Sequence, residues 1–290
     1  MAKTVLVAMS GGVDSSVALS KVLEMGHDAI GITMKLWNNK DPKTNTVRPS
    51  LCNSADAING AKLICDRLGV KHYTIDFIDL FKKYVVDDFV SQYMNGKTPN
   101  PCVKCNSMIK WDALIKFSQE IEADLIATGH YAQIKKIEGE FILSKGIDAS
   151  KDQSYMLWDI DKKQLSKTLF PIGGMTKQEV REYAIKHDLE TANRAESQDL
   201  CFVLGDDYSQ FLYEIDPDKM ANISDGPIVD EENNKVGMHK GFTSYTVGQR
   251  KGLGLSFPEP RYVKKINPIN NTIVVSKKDA LYSNRCTAHS

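Results

Sequence analysis

The sequence carries no net charge: 37 lysines and arginines balance 37 aspartates and glutamates, which on its own argues against an anionic partner. It also lacks any stretch near the ~20 apolar residues that a bilayer-crossing helix requires. The apolar opening Val5–Met9 is too short for a secretory signal core and runs straight into glycines, so it reads as a buried strand. Membrane insertion and export are therefore set aside, and the expected compartment is the cytoplasm. Cysteine is sparse, with six in 290 residues, at 52, 65, 102, 105, 201 and 286. In a reducing compartment these suit metal binding or redox chemistry better than a disulfide framework. No Walker Gly-Lys-Ser/Thr and no Gly-x-Gly-x-x-Gly occurs, which excludes two common phosphate-binding fingerprints. Internal repeats and low-complexity segments are also missing.

What is present is an ordinary globular composition, 42% hydrophobic and 26% charged, able to fill a core and to form one large and one smaller domain. The balanced charge is unevenly placed. From Asn233 to Ser290 ten basic residues face two acids, while the remainder holds 27 basic and 35 acidic residues. A tail of +8 on a body of −8 points to an anionic partner such as RNA, or, more plainly, to a solvated basic face.

Up to about Phe202, short β-branched runs alternate with longer amphipathic stretches, the pattern of βαβ units. Strands are expected at Thr4–Met9, Ala29–Met34, His72–Ile75 and Leu125–Thr128. Helices are expected at Ser16–Met25, Ala55–Leu68, Leu80–Met94, Val103–Ile121 and Thr176–His187, the last begun by a Thr176/Glu179 capping box. After about Asp206 come short strands at Gly226–Asp230, Phe242–Val247, Arg261–Ile266 and Thr272–Val275, with turns at Asn233-Asn234 and Asn270-Asn271. The expected fold is α/β: a Rossmann-like parallel sheet with helices on both faces over residues 1–205, a small β domain over 206–285, and a tail, 286–290.

Ser10-Gly11-Gly12-Val13-Asp14-Ser15-Ser16 lies between the first strand and the first helix. Successive backbone N–H groups and a helix N-terminus can hold a phosphate there. The segment resembles the pyrophosphate-binding loop of the N-type ATP pyrophosphatases, the PP-loop superfamily, which cleave ATP between the α and β phosphates and adenylate a substrate. That resemblance implies ATP with Mg2+. It assigns the nucleotide to Ala8, Met9, Ser10, Gly11, Gly12, Val13, Asp14 and Ser15, with Met34 near the adenine and Gly129 after another strand. Asp14 is the expected catalytic carboxylate, replaceable without loss of the fold.

Thr98-Pro99-Asn100-Pro101-Cys102-Val103-Lys104-Cys105-Asn106 is a proline-stiffened loop entering a helix. The helix dipole and Lys104 favour a thiolate there, so Cys102 and Cys105 are candidate nucleophiles or metal ligands. Cys201, in Glu196-Ser197-Gln198-Asp199-Leu200-Cys201-Phe202, reads from its surroundings as packing or as chemistry. Cys65 reads as helix core, and Cys52 and Cys286 as structural or incidental.

Taken in order, Met9–Ser16, Gly96–Asn106, Ala127–Tyr131, Lys151–Tyr155, Ser197–Phe202 and Tyr245–Gly254 resemble the tRNA-specific 2-thiouridylase family over most of the chain. That likeness implies ATP-dependent adenylation of the C2 oxygen of a wobble uridine, then sulfur delivery by cysteine to give 2-thiouridine, AMP and pyrophosphate. It makes Cys105 the nucleophile and Cys201 the persulfide carrier, loaded by an upstream sulfur donor. A transient Cys105–Cys201 disulfide follows. It sets Asn100, Pro101 and Cys102 at the target base with His130 nearby, and Lys151, Asp152 and Gln153 against tRNA. Two departures stand out. Many members carry Asp at the position of Cys102, and the family continues through a C-terminal β-barrel that would begin near Ser290. With three thiols, an iron–sulfur cluster on Cys102, Cys105 and Cys201 is the alternative chemistry. A non-catalytic tRNA-binding or zinc-scaffold protein is the alternative class.

Overall fold

The computed structural model describes residues 1–38, 55–194, 200–203 and 207–285. Cys52, Cys286, the expected tail and the Glu196–Asp199 flank of Cys201 lie outside them. The chain forms two compact units, one of residues 1–86 and 101–202, the other of 87–100 and 203–290.

The first unit is built on β1 (Thr4–Ala8), α1 (Val13–Glu24), β2 (Asp28–Lys35), α2 (Ala55–Arg67), β3 (Lys71–Asp76), β4 (Leu125–Ala127) and the short β7 (Thr168–Leu169). Its five-stranded sheet runs β3-β2-β1-β4-β7, every pairing parallel. Val5, Leu6 and Val7 are fully buried, as a strand covered on both faces must be. Alternation along β1 and β4 sorts the faces. Val5, Val7, Leu125 and Ala127 pack with α1, α2 and the helix Lys177–Lys186, which turns Leu6 and Ile126 to the opposite side. The segment containing the fully buried Trp111, Ile109 and Leu114 leads into the helix Leu114–Glu120, which contacts β4. Cys65, on α2, has no solvent exposure, and burial pushes its thiol up to about 12. It is core, as its sequence setting implies.

The Thr176/Glu179 capping box is present, with Thr176 accepting from the Glu179 backbone and Glu179 from that of Thr176. Two expected helices are wound differently from a plain α-helix. Ile78–Met94 is π-helical over Lys82–Val86, and Pro101–Glu120 is π-helical over Cys105–Ala113. A hairpin, β5 (Ala132–Ile137) with β6 (Glu140–Lys145), was not expected. No described helix is long and apolar enough to cross a membrane.

The second unit holds a four-stranded sheet ordered β10-β11-β8-β9, from β8 (Gly226–Val229), β9 (Lys235–His239), β10 (Tyr262–Asn267) and β11 (Thr272–Ser276). Its core is Ile228, Val263, Ile273 and Val275 with Phe242 and Tyr245. Helices Asp87–Met94 and Tyr208–Ile215 join it through a Tyr93–Tyr208 ring stack at 4.8 Å. Phe242–Val247 is not the expected strand. Phe242–Ser244 is a 3-10 turn that buries Phe242 and Tyr245 three residues apart, and Gln249 Oε1 takes the Thr246 N–H at 2.9 Å, away from any ladder.

Candidate active site

The strand order places β1 between β2 and β4, which lead to opposite ends of the sheet. A crevice forms beyond the carboxyl ends of strands at such a switch point. A cavity of about 360 Å³ occupies this position, walled by Ala8, Met9 and Ser10 after β1, Met34 and Leu36 at the end of β2, and Thr128, Gly129 and His130 after β4.

The glycine loop is shaped by close approach. Gly11 has φ +74°, and a Cβ there would sit 2.3 Å from the Ala57 carbonyl oxygen; at Gly129 it would meet the Asp14 backbone at 2.8 Å. Neither position admits a larger side chain without displacement. Ser15 and Ser16 are buried and donate to the Gly12 carbonyl, both at 3.0 Å. No side chain caps the start of α1, which leaves its first-turn amides and dipole for an anion. Arg194 fastens the loop from behind, donating to the Gly11 carbonyl at 2.7 Å. Ala8, Met9, Ser10, Asp14 and Ser15 line the cavity; Gly11, Gly12 and Val13 form the backbone that carries them.

Asp14 is not an isolated carboxylate. Both its oxygens accept from Lys177 Nζ, at 2.7 and 2.8 Å, and Oδ1 also accepts from Tyr131 Oη at 2.8 Å. Lys177 is a buried lysine, 9% exposed. Sequence reading passed over both partners: a lysine after a capping threonine looks like helix surface, and only the fold brings it back to residue 14.

Cys102, Cys105 and Cys201 line the same cavity, together with Pro101, Asn106, Lys110 and Gln153. Pro101–Lys104 begins the helix, so both nearer thiols sit in its opening turns. The charge expected from Lys104 goes elsewhere: its Nζ lies 3.3 Å from Asp159 and it does not line the cavity. Lys110, five residues after Cys105, is the lysine that does. Gln153 grips Tyr131 from both sides, accepting its N–H at 3.0 Å and donating its own backbone N–H to its carbonyl at 2.9 Å. Asp152 closes the turn after β6, accepting from Gly146 N at 2.9 Å and Ser154 Oγ at 2.9 Å. Neither it nor Lys151 lines the cavity, and Asn100 belongs to the second unit.

His130 is buried, and burial first, then the nearby Lys110, pushes it well below the usual histidine range. It is neutral at pH 7. Its Nε2 is 3.4 Å from Lys110 Nζ and its Nδ1 is 2.6 Å from Thr128 Oγ1. An ammonium only donates, so Nε2 is the acceptor and Nδ1–H donates to Thr128.

Among the described residues no three His, Cys, Asp or Glu side chains are gathered to hold a metal ion. Cys102, Cys105 and Cys201 share a cavity without forming a cluster or zinc ligand set, and no step is derived through one. Asp14 is the one carboxylate among the described residues lining the cavity. That suits a magnesium ion carried mainly by phosphates and water, not a dedicated cage.

A glycine-loop crevice at the switch point of a parallel sheet, opening onto cysteines, defines a nucleotide-binding domain adapted to thiol chemistry. A family model for the tRNA methyl transferase HUP domain matches residues 3–205, and one for the tRNA methyl transferase PRC-barrel domain matches 213–277. The tRNA-specific 2-thiouridylase MnmA of Heliobacterium modesticaldum is 44% identical over 290 residues, covering 99% of this chain and 74% of the relative. The protein of that name in Chloroflexus aurantiacus is 46% identical over 284 residues, covering 98% and 77%. A solved 4-thiouridine synthetase–RNA complex with bound ATP aligns at TM-score 0.43 and 18% identity, over 74% of this chain and 51% of that one. This chain belongs to the tRNA-specific 2-thiouridylase family.

Proposed function

We propose that this protein uses ATP to convert a uridine of tRNA to 2-thiouridine. The observation that carries the reading is the meeting of the glycine loop with Cys102, Cys105 and Cys201 in one cavity. The C2 carbonyl of uracil is amide-like, and oxide is not a leaving group. Attack of that oxygen on the α-phosphate of ATP expels pyrophosphate and leaves C2 bonded to AMP through oxygen. The loop of Ser10–Ser16 and the start of α1 hold the phosphates, Met34 and Leu36 border the base, and Gly129 keeps the backbone close. Magnesium, entering with ATP, supplies charge neutralisation at the phosphates.

A persulfide on Cys201, loaded from an upstream sulfur donor, then attacks C2 through its terminal sulfur, and AMP departs with the oxygen. The Cys105 thiolate attacks the Cys201 sulfur. The sulfur–sulfur bond breaks toward the uracil, its electron pair becoming the thiouridine sulfur anion, and Cys105–Cys201 closes as a disulfide. A dithiol reductant from the medium restores both thiols. Pro101 and Cys102 border the target base, with Asn100 on the approach and His130 and Gln153 in the wall; Lys151 and Asp152 shape the tRNA-facing loop. A tRNA substrate and thiols that must be reduced after each cycle support a cytoplasmic location.

The HUP description names methyl transfer, the second reading; three cysteines around the crevice favour sulfur transfer over it. The test is incubation of the full chain with ATP, tRNA and a persulfide source, followed by nucleoside mass spectrometry and assay of nucleotide products. 2-Thiouridine, AMP and pyrophosphate are expected. Production of ADP and phosphate, or of a methylated nucleoside without 2-thiouridine, would overturn the reading.

A further inference from the structure

Every sulfur step in this cavity passes through an anion: the persulfide, the resolving thiolate and the released thiouracil sulfur. Among the described residues lining it, Lys110 is the one lysine or arginine. We propose that Lys110 is the cation of the sulfur-transfer step, holding the sulfur anion at Cys105 and its neighbours, with His130 aiming its ammonium. The proposal rests on the sulfur-transfer reading above.

The winding of the chain carries it. Over Cys105–Ala113 the backbone is π-helical, with i→i+5 hydrogen bonding, a form frequent at functional sites. Residues five apart then fall on the same side of the helix, whereas α-helical winding would turn them about 140° apart. Cys105 and Lys110 are five apart, and both line the cavity.

The surrounding charges leave this lysine to act. Lys104, the nearer lysine in sequence, is engaged by Asp159. Asp14, the cavity's carboxylate, is neutralised by Lys177. Lys110 has no ion pair among the described residues, and its hydrogen-bond partner is the imidazole Nε2 of His130. Packing against Trp111 and Phe170 fixes that ring. A neutral acceptor directs an ammonium without cancelling its charge. An ammonium beside a thiol favours the thiolate and speeds its reactions.

The test compares wild type with Lys110→Gln, Lys110→Met and Lys110→Arg in the full chain, the Met variant keeping the apolar stem in case Gln fails to fold. Iodoacetamide alkylation of Cys105 at pH 7, without nucleotide, is followed by peptide mass spectrometry. Single-turnover 2-thiouridine and pyrophosphate formation are measured alongside. Gln and Met should slow Cys105 alkylation about tenfold, the effect of one pKa unit on thiolate fraction. They should slow 2-thiouridine formation at least as much, leaving the KM for ATP and the burst of pyrophosphate near wild type, and Arg should restore most of the alkylation and 2-thiouridine rates. Unchanged alkylation in a folded Gln or Met variant would overturn the proposal, and so would loss of pyrophosphate formation with alkylation intact, which would assign the lysine to the nucleotide. If wild type makes no 2-thiouridine, the sulfur-transfer reading fails on that product, while the alkylation comparison still reports on the Lys110–Cys105 pairing.

Discussion

Asp14 and Lys177 are a pair in which neither member can be changed alone. Asp14→Ala leaves the Lys177 ammonium buried without its carboxylate, so the expectation that the fold survives untouched gives way to a measurable loss. Removing one partner of a buried pair costs roughly 3–5 kcal/mol. Asp14's side chain is 32% exposed, so water absorbs part of that and about 1–2 kcal/mol is expected here. Urea unfolding of Asp14→Ala, Lys177→Met and the double variant should show the double costing less than the two singles together. His72, His130 and His239 are all held below the ordinary histidine range, chiefly by burial. Between their folded and unfolded pKa values the unfolded chain binds more protons, so stability falls as pH drops below about 6.5. A steady decline of the urea midpoint from pH 7 to 5 is expected, at up to about 1.4 kcal/mol per pH unit for each histidine fully engaged. A flat profile over that range would contradict the burial assignments. The loop from Ser10 to Ser16 was legible because its glycines and serines are contiguous and stand between a strand and a helix. Lys110, Tyr131 and Lys177 were not, since their roles arise from contacts 20 to 163 residues away in the chain.

Among elements, the helix Lys177–Lys186 does two jobs from one end. Its capping threonine satisfies the first-turn amide of Glu179, and the next residue delivers the ammonium to Asp14. Thr176→Ala should cost about 1 kcal/mol, as losses of capping residues do. Because the fraying starts at Lys177, the same change should weaken ATP binding, read as a smaller thermal shift on adding ATP with magnesium; an unchanged shift would separate the two jobs. Four of the five strands of the parallel sheet were readable within a residue or two, as short apolar runs closed by a turn signal, whereas β7, two residues long, was not. The π-helical stretches were not, since apolar spacing cannot tell 3.6-residue winding from a wider turn over nine residues. Lys104 was the lysine expected beside the thiols because it neighbours them in sequence, but its side chain reaches Asp159. Phe242–Val247 failed for a related reason: aromatics three apart fit either a short helical turn or an uneven strand, and Gln249 decided it.

At the scale of the whole molecule, the +8 stretch is the feature that composition hid and position revealed. Its side chains are not equally available. Lys240 is paired with Asp225 at 2.6 Å and Lys264 with Glu231 at 2.7 Å, so Arg250, Lys251 and Lys265 are the better candidates for phosphate. If about six phosphates are neutralised, the log–log salt slope of tRNA binding should lie near −5. Alanine at Arg250, Lys251 or Lys265 should each lower the magnitude by about one, with Lys240→Ala changing it least. A slope near zero would make the stretch a solvated face. Cys65 adds something of a different kind. Sealed from solvent, with its thiol pushed up to about 12, it is chemically silent while the first unit is folded. Under native conditions a mass tag can reach it only through an opening of the core, so its labelling rate counts those openings. The protein thus carries its own clock of unfolding, one that runs independently of the thiols in the cavity and can certify, within the same digest, that a variant with slowed cavity chemistry is still folded.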